Sequence, residues 1–284
     1  MAKTVDYNNK QLHALIPKLD PDCNKYSRAY AAVVAGSKKY PGAAYISARS
    51  CSILGCGYTK VFTSSSAISI IQSYDPSIVV DSFSSFLDQS KLRFSACLAG
   101  PGLSPDSKKA LWCCKKLIKE FPKSIVFDAG ALSLIAHCGL ASKLNSRDET
   151  FNKCILTPHL QEATNLAKAA CISPSQDQAS LAQSLSSFYN SIVVLKGPST
   201  VIADGENCYI YKDGPACLAK AGTGDVLAGF IVSLLSQGLG GFDACVLACK
   251  LHGKCASMAQ HDLGANCVLV EDIINSLPKA LRRL

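Results

Sequence analysis

The chain has 284 residues, 48% of them hydrophobic and 18% charged, with a formal net charge of +8. That balance excludes a disordered chain, which needs low hydrophobicity and high net charge. The length allows one large domain or two small ones, and no apolar run approaches the roughly 20 residues of a membrane helix.

Residues 1–28 are polar and mixed, and read as a leader segment or a first helix. From residue 29 a rhythm begins. The pattern predicts strands over 30–35, 58–63, 77–81, 95–99, 124–127, 153–156 and 191–195. Between them it predicts helices over 42–54, 106–121, 161–170 and 178–189. Runs such as 125–127 and 192–195 are continuously apolar, which suits strands buried on both faces. Such alternation implies βαβ units. The expected fold is α/β, a central, mostly parallel sheet flanked by helices, as a single domain over 29–284. No linker-like stretch and no repeat interrupts it.

In such sheets ligands bind beyond the carboxyl ends of the strands. The residues just after the predicted strands are therefore informative. They are Ala35-Gly36-Ser37, Ala99-Gly100-Pro101-Gly102, Asp128-Ala129-Gly130, Thr157-Pro158-His159 and Lys196-Gly197. Small and polar residues collect at one edge, as a substrate crevice requires. Asp128 there could bind Mg²⁺ through water or cap the following turn. His159 reads either as a functional group or as a hydrogen-bonded turn residue.

The strongest local signal is Ala221-Gly222-Thr223-Gly224-Asp225, which runs into a helix with Leu227, Phe230, Ile231 and Leu234 on one face. A glycine turn at a helix N-terminus offers unpaired backbone N–H groups and a favourable dipole to an anion. Asp225 beside it reads as a base that takes a proton from a hydroxyl attacking a phosphoryl group. It also reads as a plain helix cap. GxxxxGK[ST], GxGxxG, HExxH and GxSxG are all absent, which removes the common readings those patterns carry.

A second feature is Lys196-Gly197-Pro198-Ser199-Thr200, between two apolar runs. It is a strand–turn–strand pattern. It reads as a plain hairpin turn, or as a nucleotide contact using amides, hydroxyls and a mobile cation.

The 15 cysteines include no CxxC pair, and no secretory signal opens the chain. The expected compartment is reducing and cytoplasmic, with free thiols filling the core. Cys245, Cys249 and His252 share a helix face, which reads as packing rather than as a metal site. Lys108, Lys109, Lys115, Lys116, Lys119 and Lys123 read as a solvated face, with no stacking aromatics to suggest nucleic acid.

With these pieces in place, the sequence resembles the ADP/ATP-dependent NAD(P)H-hydrate dehydratases of the ribokinase-like superfamily. The matching stretches include Gly36-Ser37, Tyr40-Pro41-Gly42-Ala43, Ala99-Gly100-Pro101-Gly102-Leu103 and Phe127-Asp128-Ala129. They continue with Thr157-Pro158-His159 and Glu162, Lys196-Gly197 through Thr200, the Gly222–Asp225 turn and Leu251-His252-Gly253.

The resemblance implies dehydration of hydrated NADH and NADPH through phosphorylation of the ring hydroxyl and loss of phosphate. It implies an adenine nucleotide as cosubstrate, with ADP favoured over ATP, and Mg²⁺ bridging its phosphates. It implies a homo-oligomer with no nucleic-acid or membrane partner. By family analogy Ala43, Gly102, His159 and Asp225 contact the hydrated dinucleotide. Lys196, Gly197, Pro198, Ser199, Thr200 and Gly224 contact the nucleotide. Asp225 is the base, and Gly222, Thr223 and Gly224 form the anion hole. The chain departs from the family with Thr223 for the usual Ser and with Gly130 for a frequent Asp. A ribokinase-like kinase of a vitamin precursor and a nucleotide sensor without turnover remain as alternatives.

Overall fold

The structure, a computed structural model, describes residues 3–24, 28–173, 175 and 177–284. Ten strands form one sheet. They are β1 (Lys3–Thr4), β2 (Tyr30–Val34), β3 (Tyr58–Thr63), β4 (Val79–Ser82) and β5 (Ala96–Ala99). The others are β6 (Ile125–Phe127), β7 (Cys154–Leu156), β8 (Ser191–Leu195), β9 (Thr200–Ala203) and β10 (Asn207–Tyr211). Their spatial order is β1-β10-β9-β8-β7-β6-β5-β2-β3-β4. β9 pairs antiparallel with β8 and β10, and the remaining pairs are parallel.

The predicted strands and helices form within a few residues of their expected bounds. β1, β10 and the short helices at Ile68–Tyr74 and Phe83–Leu87 are among the additions, while Asn9–Ala14 is a first helix within residues 1–28, one of the two readings of that segment. Within the first 28 residues, the described part contributes β1 and Asn9–Ala14, while residues 1–2 and 25–27 lie outside the described residues.

Alternate side chains of the central strands feed two cores. Ala31 and Val33 of β2 face a core that includes helices Pro41–Ile53, Thr223–Ser236 and Gly241–Leu263. Ala32 and Val34 face a second core with helices Lys108–Glu120, Leu160–Ala169 and Gln178–Tyr189. Burial on both faces is why these strands are apolar throughout. No helix among the described residues is long and apolar enough to cross a membrane.

Eleven cysteines are buried, including Cys97 in β5, Cys154 in β7, and Cys245 and Cys249 on the long helix. Cys138, Cys171 and Cys267 are exposed, so core filling does not describe these three. The lysine-rich helix also departs from a purely solvated face. Lys116 Nζ is drawn onto the carbonyls of Leu87 (3.0 Å) and Gln89 (2.7 Å).

The chain order reverses between β2 and β5. From β2 the sheet extends through β3 and β4 in one direction, and from β5 through β8 in the other. This switch point opens a crevice at the carboxyl ends of the strands.

Candidate active site

At the switch point two loops meet. A Cβ on Gly102 would stand 2.8 Å from the Ala43 Cβ and 2.7 Å from the Tyr40 carbonyl. Ala43 and Gly102, far apart in sequence, are therefore neighbours. Gly102 has φ +64, a conformation that favours glycine.

Along the same edge the ladder continues beyond the strands. The Asp128 N–H donates to Ala99 O (3.0 Å), Thr157 N–H to Phe127 O (3.1 Å) and Lys196 N–H to Pro158 O (2.8 Å). These bonds align Asp128, Thr157 and Lys196 after β6, β7 and β8. Their side chains then converge. Lys196 Nζ lies 2.6 Å from Asp128 Oδ1, and the Thr157 hydroxyl donates to the same oxygen at 2.7 Å. The lysine expected to be a mobile cation is thus held in an ion pair. Burial works against its charge, but Asp128 and Glu162 outweigh this and raise its pKa.

Asp225 lies in the first turn of the helix Thr223–Ser236. Its carboxyl is pushed up to about 7, mainly by burial and then by the nearby Asp128 charge, against Lys196. A carboxylate with a pKa near neutrality can both accept and release a proton at working pH. Gly222 enters the helix with φ +92. The first-turn N–H groups have no helical carbonyl to reach, so those of Gly224 and Asp225 can serve an anion. The Thr223 hydroxyl instead donates to Leu218 O (2.8 Å) and Lys220 O (2.9 Å), bracing the loop before the helix. Lys196 Nζ lies 3.5 Å from where a Cβ on Gly224 would stand, so the β8 end and the glycine turn share one space.

His159 is the N-cap of the helix Leu160–Ala169. Its Nδ1 accepts from the Glu162 N–H (3.3 Å), while Glu162 Oε2 accepts from the His159 N–H (2.8 Å). This capping box leaves the imidazole 55% exposed at the rim. Gly197, Pro198 and Ser199 lie in the tight connection between β8 and β9, and Thr200 opens β9. Gly130 is not open space: a Cβ there would stand 2.4 Å from Leu103 O, so this loop packing leaves no room for a carboxylate.

His252 stands behind the glycine turn, against the backbone of Thr223. Burial pushes it down to about 4, so it is neutral, and its Nε2 has no hydrogen-bond partner. Its ring packs edge-on against Phe230, with centroids 6.4 Å apart. The structure thus brings together Lys196, Gly224 and Asp225, and separately Ala43 and Gly102. The pairing of Asp128 with Thr157 and Lys196 was not legible from spacing, although all three stood out as strand-end residues.

A family model described as NAD(P)H-hydrate dehydratase matches residues 31–279. A "Bifunctional NAD(P)H-hydrate repair enzyme Nnr" of Thermofilum pendens is 30% identical over 95% of this chain. The chain covers 53% of that relative, and so spans about half its length, as it does for two bacterial repair enzymes of the same name. The crystal structure of an ADP/ATP-dependent NAD(P)H-hydrate dehydratase from Bacillus subtilis, co-crystallised with ATP and Mg²⁺, superposes with a TM-score of 0.84. That protein is 26% identical, and the match covers 97% of both chains. A ribokinase-like superfamily protein of Enterococcus faecalis, 22% identical over 99% of this chain and 96% of its own, shares the fold with a TM-score of 0.85.

Proposed function

The chain belongs to the NAD(P)H-hydrate dehydratase family, and from that premise we propose that it restores hydrated NADH and NADPH to the reduced cofactors at the expense of ADP or ATP. The observation that carries this reading is the meeting of three features in one crevice: Asp225 with a carboxyl near neutrality, the N-terminus at Gly224, and Lys196.

In the proposed reaction the ring hydroxyl of the substrate attacks the terminal phosphoryl group of the nucleotide. Asp225 takes the hydroxyl proton as the O–P bond forms and the shortened nucleotide leaves. The anion hole expected at Gly222, Thr223 and Gly224 narrows to the Gly224 and Asp225 N–H groups, because the Thr223 N–H and hydroxyl are turned back onto the preceding loop. These amides and the Lys196 charge stabilise the phosphoryl group in transfer. Phosphate then departs with its C–O bond pair, and the neighbouring carbon gives up a proton, which the departing phosphate accepts, to form the double bond. Ala43, Gly102 and His159 hold the dinucleotide, while residues 196–200 hold the adenine nucleotide. ADP is the favoured cosubstrate.

Among the described residues no group of three or more His, Cys, Asp or Glu could hold a metal ion. Mg²⁺ commonly binds through substrate phosphates with few protein carboxylates, so the nucleotide phosphates would carry it here. Its chemistry would be to neutralise phosphate charge. We assign the catalysis to residues 29–284; from residues 1–28, β1 pairs with β10 and Leu12 of the first helix is buried in the core. Unpaired thiols throughout fit a reducing, cytoplasmic setting. The resemblance also carries the expectation of a homo-oligomer, which sedimentation would test.

The decisive experiment incubates the protein with hydrated NADH and either ADP or ATP. Recovery of reduced-nicotinamide absorbance with release of inorganic phosphate is expected, faster with ADP. A stable phosphorylated product would favour a ribokinase-like kinase, and nucleotide binding without turnover would favour a sensor.

A further inference from the structure

Among the described residues, Asp128 is the most deeply buried carboxylate residue, at 1% exposure. The chain is shaped to place it. Ala129, next in sequence, has φ +45 and ψ −116, a region that non-glycine residues rarely adopt. Gly100 leaves room for the Asp128 carbonyl, which a Cβ would meet at 1.7 Å. Both donors to the carboxylate, Lys196 Nζ and the Thr157 hydroxyl, converge on Oδ1. A buried ion pair is weak evidence for net stabilisation. Strain, close backbone contact and two convergent donors therefore point to placement of the lysine.

We propose that Asp128 is a positioning residue that pins Lys196 Nζ beside the helix N-terminus at Gly224, so that the lysine meets the transferring phosphoryl group while Asp225 stays free as the base. This rests on the function proposed above. Lysine is a compact charge on a flexible stem. Without Asp128, the lysine loses its closest partner and can swing to pair with Asp225 and silence the base.

The groups that face one another here are few. Asp128 and Lys196 act on Asp225, while Glu162, Asp128 and Asp225 act on Lys196, whose charge also reaches the neutral His252. Removing Asp128 takes a like charge from Asp225 and leaves it facing Lys196. Removing Lys196 does the reverse. The two losses therefore move the proton occupancy of Asp225 in opposite directions.

The test is a double-mutant cycle with Asp128→Asn, Lys196→Met and the double variant, each checked for fold by near-ultraviolet circular dichroism. Two readouts are kcat/KM against pH and ADP affinity by calorimetry. Asp128→Asn should lower kcat by roughly 10–100-fold and move the acid limb to lower pH. Lys196→Met should move that limb to higher pH. Adding Asp128→Asn to Lys196→Met should cost little further kcat/KM at the optimum or ADP affinity, while the limb still moves to lower pH because the Asp128 charge acts on Asp225 directly. Equal or absent limb shifts, or additive losses, would overturn the proposal. If Asp128→Asn does not fold, Thr157→Val replaces it: a smaller shift in the same direction supports the assignment and no shift defeats it. If the wild-type protein shows no dehydration, the function fails on its own, and the cycle is read from ADP affinity, where coupling supports the pinning role and additivity overturns it.

Discussion

Gly100 and Asp128 touch backbone to backbone: a Cβ on Gly100 would stand 1.7 Å from the Asp128 carbonyl oxygen. Gly100 also has φ +136. Gly100→Ala must therefore push β5 and β6 apart at the crevice. The expected loss exceeds about 3 kcal/mol. Gly205, at φ +95 with nothing near its Cβ position, provides the control: Gly205→Ala should cost about 1 kcal/mol. Urea unfolding of both variants checks the contrast, and equal losses would refute the steric account.

Asp225→Asn keeps the side-chain shape and removes the base. Turnover of hydrated NADH should fall by roughly 10²–10⁴-fold, while ADP affinity stays within a few-fold of wild type. Single-turnover kinetics together with calorimetry separate the two effects. Retained turnover would remove Asp225 from the chemistry.

The same residue makes stability depend on pH. Its carboxyl sits near 7 in the folded protein, against about 3.9 in an unfolded chain. Folding thus disfavours the charged form. The stability contributed by the neutral carboxyl is full below about pH 4 and is lost as pH rises through 7. Asp225→Asn escapes that loss. Its stability advantage over wild type should be smallest at pH 4 and grow toward pH 8, by about 4 kcal/mol of unfolding free energy. Thermal melts at several pH values check this, and an advantage that shrinks with rising pH would contradict the raised carboxyl.

His159 and Glu162 cap one helix reciprocally. Glu162→Ala should cost about 1 kcal/mol of stability and free the His159 ring. The KM for hydrated NADH should then rise more than kcat falls. A stability loss with unchanged KM would confine this pair to capping.

The thiols divide by burial. Cys138, Cys171 and Cys267 are exposed and Cys23 is half-buried, while the other eleven are buried. Native alkylation followed by peptide mass spectrometry should modify the first three rapidly and Cys23 more slowly. Fast modification of Cys97, Cys154 or Cys245 would contradict their core positions.

The alternation of apolar runs and helical patterns sufficed to place β2 through β8 and their major helices. Fully buried strands carry that signal in every residue, as in Ile192 through Leu195. The glycine turn before Asp225 was equally plain, because a helix N-terminus that receives an anion needs glycine backbone. β10 gives no continuous buried-strand signal, because polar Asn207 opens it and Ile210 is exposed among its buried side chains. The pairing of Asp128 with Lys196 lies beyond any local pattern. It depends on β6, β7 and β8 lying side by side, which is set by how helices cover both faces of the sheet. Sequence alone determined which residues stand at strand ends and which glycine turn opens a helix N-terminus. Tertiary structure alone decided that Lys196 is anchored by Asp128 and that the Asp225 carboxyl is pushed up toward neutrality, because burial and the charges of neighbouring strands exist only once the sheet is assembled.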